Sequence, residues 1–329
     1  MARYSQLGPL SVEEQAFICK LLVKFFHVLD SDYITAKRTQ TKAKSITPPS
    51  VMEFFQYYRE QGLDLWPKMN HVLSLIRKMV QSQLLSSAGG TNHNERLLFM
   101  TELSDRQRRG SLWLGRALGG PFIASEIAKD IAFISGHNKN GDVIVGTGIL
   151  ISEHEVLTCG HVIRDITKIY EFRIGGKTVA QERASVHPQI DIGVIYLKDQ
   201  VTPQLPDLAF RDALILEAVV IAGYPRVPLS SEPGMTFQTG EICGHISMMM
   251  GASPVELFSA IARPGNSGGP VVAMDGRVVG IVSWSLERQK EDADLMTPLP
   301  FFAAVPSKVI ANALAELDGV TSLPWEDWS

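Results

Sequence analysis

The sequence predicts an α+β multidomain chain, an all-α first third followed by an all-β remainder. Three observations carry this expectation. In the first hundred positions apolar residues recur at helical spacing behind capping signals. From about residue 146 onward, short apolar runs alternate with polar turns. And 329 residues exceed one ordinary domain. The Gly119-Gly120-Pro121 break marks the boundary, dividing a helical bundle at 1–120 from a β-domain at 121–329.

Ser11-Val12-Glu13-Glu14 reads as a capping box, in which serine and glutamate side chains satisfy each other's free helix-end N–H groups. Behind it, Phe17, Ile18, Leu21, Leu22, Phe25 and Leu29 fall near one helical face. A polar, basic loop is expected over 30–49. Ser50-Val51-Met52-Glu53 is a second capping box, ahead of Phe54, Phe55, Tyr57 and Tyr58. A third helix is predicted over 67–85 and a fourth helical segment over 95–103, followed by Arg106, Arg108 and Arg109. The size suits a regulatory or adaptor domain of the death-fold kind, by analogy alone.

In the second part, residues 146–151 and 156–163 read as two apolar strands joined by Ser152-Glu153-His154-Glu155, with His161 just past the second. Asp191 interrupts the apolar run 190–197; a carboxylate in such a run is costly unless paired, and orienting a histidine is one good pairing. The stretch Arg263-Pro264-Gly265-Asn266-Ser267-Gly268-Gly269-Pro270 puts a serine on a tight glycine turn ahead of an apolar strand. A serine nucleophile needs that: an exposed hydroxyl, and backbone N–H groups free to face a developing oxyanion. Gly265-Asn266-Ser267-Gly268-Gly269 also fits the G-x-S-x-G nucleophile elbow, but that fold places its histidine after the serine. All eight histidines (27, 71, 93, 137, 154, 161, 187, 245) precede Ser267. The order Asp191, His245, Ser267 can be forced, yet His245 lacks a supporting context.

The order His161, Asp191, Ser267, each in these surroundings, resembles the trypsin-like (chymotrypsin-fold) serine proteases, and the Pro-Gly-Asn-Ser-Gly-Gly-Pro string resembles their HtrA-type branch. Gly223-Tyr224-Pro225, the strand 278–285 and Ala303-Ala304-Val305-Pro306-Ser307 add to it, over residues 124–317. The resemblance implies a double six-stranded barrel with a C-terminal helix over 308–317. It implies a triad of Ser267 as nucleophile, His161 as general base and Asp191 as its orienting acid, with the N–H groups of Gly265 and Ser267 as oxyanion hole. It also implies substrate contacts from Ile261, Ser283, Trp284 and Ser285. Ile261 at the pocket base carries no charge, so a small or medium apolar side chain is expected before the cleaved bond. Relatives activated by a new N-terminus carry aspartate where Asn266 stands, so no such activation is expected. The 23 residues after Pro306 are too few for a PDZ domain.

A net charge of −4 hides an asymmetry: residues 1–120 carry sixteen basic and ten acidic side chains, the remainder fifteen and twenty-five. This favours docking of the two parts on each other, or of the first on an acidic partner. The start Met1-Ala2-Arg3-Tyr4-Ser5-Gln6 lacks a signal-peptide core and no run is apolar enough for a membrane span. Three cysteines, Cys19, Cys159 and Cys243, without an export signal argue for a reducing, cytoplasmic setting. No metal spacing and no cofactor motif is found. The expected partners are a protein substrate and a sensor or adaptor engaging residues 1–120, as in a bacterial signalling or defence cascade; no membrane and no nucleic acid is expected. Two alternatives stay open. One is a catalytically silent binding module with the same fold; the other is a nucleic-acid-linked protein acting through the basic first third.

Overall fold

The structure, a computed structural model, describes residues 8–41, 47–91, 94–201, 207–230, 232–248, 253–283, 301–317 and 319–326. The chain divides into two compact units, Met1–Pro121 and Phe122–Ser329.

In the first unit, helix α1 (Val12–Phe26) opens on the Ser11/Glu14 capping box, with both reciprocal bonds made. Its buried residues are Ala16, Ile18, Cys19, Leu22, Val23, Phe25 and Phe26. Phe17 falls off that face and is 52% exposed, and Leu29, past the helix end, is 69% exposed. Both depart from the expected stripe, because the buried arc turns with 18, 22 and 25–26 and leaves 17 on its far side. Helix α2 (Asp32–Thr41) lies inside the segment expected to be loop. Its start is held by Ser31, whose Oγ accepts from Ile34 N and donates to Phe25 O; this local cap, not apolar periodicity, makes the helix. Helix α3 (Val51–Glu60) begins at the Ser50/Glu53 box. A 3-10 turn, Trp66–Lys68, leads into α4 (Met69–Gln81), which ends four residues before the expected limit, where Gln83 takes a positive φ of 61°. Rings of Phe25, Phe26, Phe54 and Tyr58 pack at centroid distances of 5.0–5.4 Å and form the centre of this unit.

The 95–103 segment is not helical. Strand β1 (Ser86–Ser87) pairs antiparallel with β2 (Leu97–Leu98). Leu97 N bonds Pro49 O, and Phe99 N bonds Phe26 O. Leu97 and Phe99 are buried while Met100 is exposed, so backbone partners from other segments select an extended chain over the local helical pattern. Helices α5 (Asp105–Arg109), capped by Ser104 and Gln107, α6 (Gly115–Leu118) and α7 (Gly120–Ile127) follow.

The second unit is β-rich. Its strands are β3 (Ile131–His137), β4 (Val143–Leu150), β5 (Glu155–Thr158), β6 (Lys168–Ile174), β7 (Lys177–Thr178), β8 (Gln181–Val186) and β9 (Gly193–Leu197). They form a seven-stranded antiparallel sheet in the order β7-β6-β3-β4-β5-β9-β8, with short helix α8 (Gly160–Asp165) between β5 and β6. Strands β10 (Ala218–Gly223), β11 (Thr236–Ile246), β12 (Val255–Phe258), β13 (Pro270–Ala273), β14 (Val278–Ser283) and β15 (Phe302–Pro306) close into a six-stranded barrel in the order β10-β11-β12-β15-β14-β13. Helix α9 (Ser307–Ala315) ends the unit. The expectation of two six-stranded barrels is thus corrected for the first, an open half-barrel. Its edge strand β7 is two residues long and exposed, and β8 is exposed along most of its length and rich in charge; such edges do not pair further.

Inside the closed barrel Val219, Ile221, Ile242, Phe258, Val271, Val279 and Val282 pack together. Beside this core, buried Arg211 bonds Glu217 (Nη2 to Oε2, 2.6 Å) and Asp275 (Nε to Oδ2, 2.9 Å). Removing one member of a buried charge network leaves its partners uncompensated, so Arg211→Leu is expected to cost about 3–5 kcal/mol, read as a fall in urea midpoint of the full chain.

Candidate active site

Strand β5 delivers Cys159 as the N-cap of α8, and His161 is the second residue of that helix. Gly160 allows the helix to lie close to the segment before β9: a Cβ there would stand 2.9 Å from Ile192 O. Asp191 comes from that segment. The turn presenting it is held by His187, whose Nδ1 accepts from Gln189 N (3.2 Å) and Ile190 N (2.9 Å) while Nε2 meets Glu316 Oε2 at 3.1 Å. No sequence motif assigns His187 a role; its one signal is the His-Pro pair just ahead of an isolated acid.

Asp191 Oδ2 lies 2.7 Å from His161 Nδ1 and 2.9 Å from Ser283 Oγ. Its Oδ1 accepts from His161 N at 2.9 Å and from Arg164 Nη2 at 3.2 Å. Burial pushes this carboxyl up, but the hydrogen bonds and charge of His161, with Ser283, outweigh it and hold Asp191 at about 2. An ionised Asp191 can only accept, so His161 Nδ1 carries the proton of this bond. Ser283, expected among the substrate contacts, turns its hydroxyl on Asp191. Arg164, one helical turn past His161, was not foreseen.

Ser267 lies on the glycine turn that leads into β13. Asn266 N bonds Arg263 O across this turn, with Gly265 at φ +103° in its third position, the pattern of a type II turn. A Cβ on Gly265 would stand 2.2 Å from Tyr224 O, so only glycine fits. Gly268, at φ +85°, packs on the His161 side of the sheet: a Cβ there would meet Thr158 Oγ1 at 2.3 Å and Cys159 N at 2.9 Å. The turn carrying Ser267 and the segment carrying His161 are therefore in direct packing contact. Ser267 is 4% exposed, more enclosed than expected of a nucleophile. Among the described residues its Oγ has no hydrogen-bond partner, His161 included, and the N–H groups of Gly265 and Ser267 have no acceptor.

Ile261 is 47% exposed between buried Ala260 and Ala262. Trp284 and Ser285 lie outside the described residues. Asn266 is buried, and its Oδ1 lacks a partner among the described residues. Cys159 Sγ, His161 and Asp191 present donor atoms within 4.8 Å of one another. The thiol, however, is fully buried, held well above its usual range by burial and by Asp191, and bonds Val282 O.

Residues 146–281 match the family model of the trypsin-like peptidase domain. The chain is 29% identical over 149 residues, 44% of its length and 29% of the relative's, to the "Probable periplasmic serine endoprotease DegP-like" of Chlamydia pneumoniae. It is 28% identical over 194 residues, 56% of its length and 46% of the relative's, to the "Serine protease Do-like HtrA" of Lactobacillus helveticus. The chain thus spans less than half the length of these curated relatives. Among solved structures, the active form of the Rv3671c protease from M. tuberculosis aligns at 20% identity and a TM-score of 0.47, covering 61% of this chain and 86% of that one.

The low value at Asp191 fixes the sign of its pH effect. A carboxyl held below its ordinary 3.8 stabilises the fold above that pH, and the contribution is lost as pH falls towards about 2. Asp191→Asn is expected to lose about 2 kcal/mol of stability at pH 7. Urea titrations should show the gap from wild type closing between roughly pH 4 and pH 2.

Proposed function

We propose that this chain, whose residues 146–281 match the trypsin-like peptidase domain and resemble HtrA/DegP-type serine proteases, is a serine endopeptidase acting on protein substrates through an acyl-enzyme. The observation that carries this reading is the 2.7 Å bond between His161 Nδ1 and the ionised Asp191, beside the turn that holds Ser267.

In this mechanism Ser267 Oγ attacks the peptide carbonyl as its proton passes to His161 Nε2. The carbonyl oxygen becomes an oxyanion, received by the N–H groups of Gly265 and Ser267. As the C–N bond breaks, His161 gives the proton to the leaving amine. Water then attacks the acyl ester, losing its proton to His161, which returns it to Ser267. Asp191 holds the imidazole tautomer and stabilises the imidazolium. Ser283 and Arg164 keep Asp191 in place. The open Ser267–His161 bond closes when substrate binds, since such bonds often tighten only in the reacting complex.

The exposed, uncharged Ile261 side chain supports a preference for small or medium apolar side chains before the cleaved bond. Residues 1–120 act as the regulatory or adaptor part, engaging a sensor in a signalling or defence cascade. Three unbonded cysteines support a reducing, cytoplasmic setting. Among the described residues no helix is long and apolar enough to cross a membrane. A second reading, the catalytically silent binding module, is favoured by one observation: the enclosed Ser267 with its unpartnered hydroxyl.

Fluorophosphonate labelling decides between them. The expected outcome is labelling of the full-length chain that vanishes in Ser267→Ala, with peptide turnover falling by at least about 10⁴-fold in that variant. Folded wild type that never labels, with candidate partners present, would establish the silent module. Cleavage only after Arg or Lys would overturn the apolar preference.

A further inference from the structure

The five carbonyls from Arg263 to Ser267 are all taken. Arg263 O accepts from Asn266 N, Pro264 O from Arg226 N, Gly265 O from Thr147 Oγ1, Asn266 O from Gly269 N, and Ser267 O from Thr147 N. Each bond fixes one peptide plane. The planes that carry the Gly265 and Ser267 N–H groups are the outer two of a run of three, and the plane between them is held by Thr147 Oγ1 at 2.6 Å. Of these donors, the Thr147 hydroxyl is the one side chain; the others are main-chain N–H groups.

That hydroxyl is itself anchored. Thr147 is fully buried on β4; its Oγ1 accepts from Tyr224 N at 3.0 Å, and its carbonyl accepts from Thr158 Oγ1 at 2.6 Å. Gly223 makes room for it: a Cβ there would stand 2.9 Å from Thr147 Oγ1 and 3.0 Å from Asn266 Cα. The Gly223-Tyr224-Pro225 motif, which the mechanism does not otherwise use, thereby has a physical purpose. Glycine lets the hydroxyl approach, and the following N–H orients its lone pair so that its proton points at Gly265 O.

We propose that Thr147 is a positioning residue for the oxyanion hole, its hydroxyl locking the Gly265–Asn266 peptide so that the Gly265 and Ser267 N–H groups stay turned outward for a developing negative charge. The proposal rests on the serine-protease reading. It binds nothing itself, so its effect falls on the transition state and leaves ground-state substrate binding alone.

Thr147→Val keeps the shape and removes only the hydroxyl; Thr147→Ser restores it. Steady-state kinetics on a peptide substrate, normalised to active sites by fluorophosphonate titration, read the effect. Complete loss of one donor costs about 10²–10³-fold in kcat; a hole left intact but unlocked is expected to lose about 10- to 100-fold, with KM within about twofold of wild type. Thr147→Ser should return kcat to within about threefold of wild type, and a peptide boronate should bind Thr147→Val more weakly by the same factor as the fall in kcat. If the valine variant does not fold, Thr147→Ala against Thr147→Ser makes the same comparison. Wild-type kcat per active site in the hydroxyl-less variant, or no rescue by serine, overturns the proposal while the protease reading stands. A rise in KM with kcat unchanged overturns it as well. Wild type that does not label removes the protease reading and this proposal together.

Discussion

One partly buried carboxylate joins the two sheets of the second unit. Asp191 is enclosed, and an enclosed carboxylate without partners would cost several kcal/mol. It is met by the Nδ1 and main-chain N–H groups of His161, the hydroxyl of Ser283 and the guanidinium of Arg164. Those donors come from α8, on the open sheet, and from the end of β14, in the closed barrel. Satisfying one carboxylate therefore ties the two sheets together where the histidine stands, and sets the histidine's tautomer in the same act. Stability and chemical capacity share this contact.

The turn carrying Ser267 follows a complementary logic. A negative charge that develops only during reaction needs donors that are kept unsatisfied beforehand. Under the proposed function the turn supplies such donors: the carbonyls of residues 263–267 are taken by protein donors, and among the described residues the Gly265 and Ser267 N–H groups have no acceptor. Its glycines are dictated by contact: Gly265 against Tyr224 O, and Gly268 against Thr147 O and Thr158 Oγ1. Such a turn holds its shape only where two sheets press on it from opposite sides. That explains why so short a motif is informative when it appears between apolar strands.

Local signals were read from the chain with success where the interaction itself is local. The capping boxes at Ser11 and Ser50 start α1 and α3 because donor and acceptor are three residues apart. The periodicity that predicts a helix over 67–85 is met by α4 over Met69–Gln81. Failures came where distant groups decide. Residues 95–103 carry helical spacing but are drawn out by Pro49 and Phe26 carbonyls far along the chain. Helix α2 has little apolar pattern and depends on Ser31 bridging to Phe25. The open first sheet, against an expected closed barrel, turns on the shortness of β7, which no spacing rule announces.

The sequence by itself determined the residue types and their order: a histidine past a strand, an acid ahead of an apolar run, a serine among glycines, and two parts of different character. It could do so because hydroxyl, imidazole and carboxylate chemistry belongs to side chains, and glycine's freedom belongs to its missing Cβ. Only the tertiary structure decided which donors surround Asp191, that Ser283 faces it, that His187 props its turn, and that Thr147 reaches Gly265 from 118 residues away. These depend on distances between strands that are remote in sequence, and a hydrogen bond has no meaning until both partners have been brought within about 3 Å of each other.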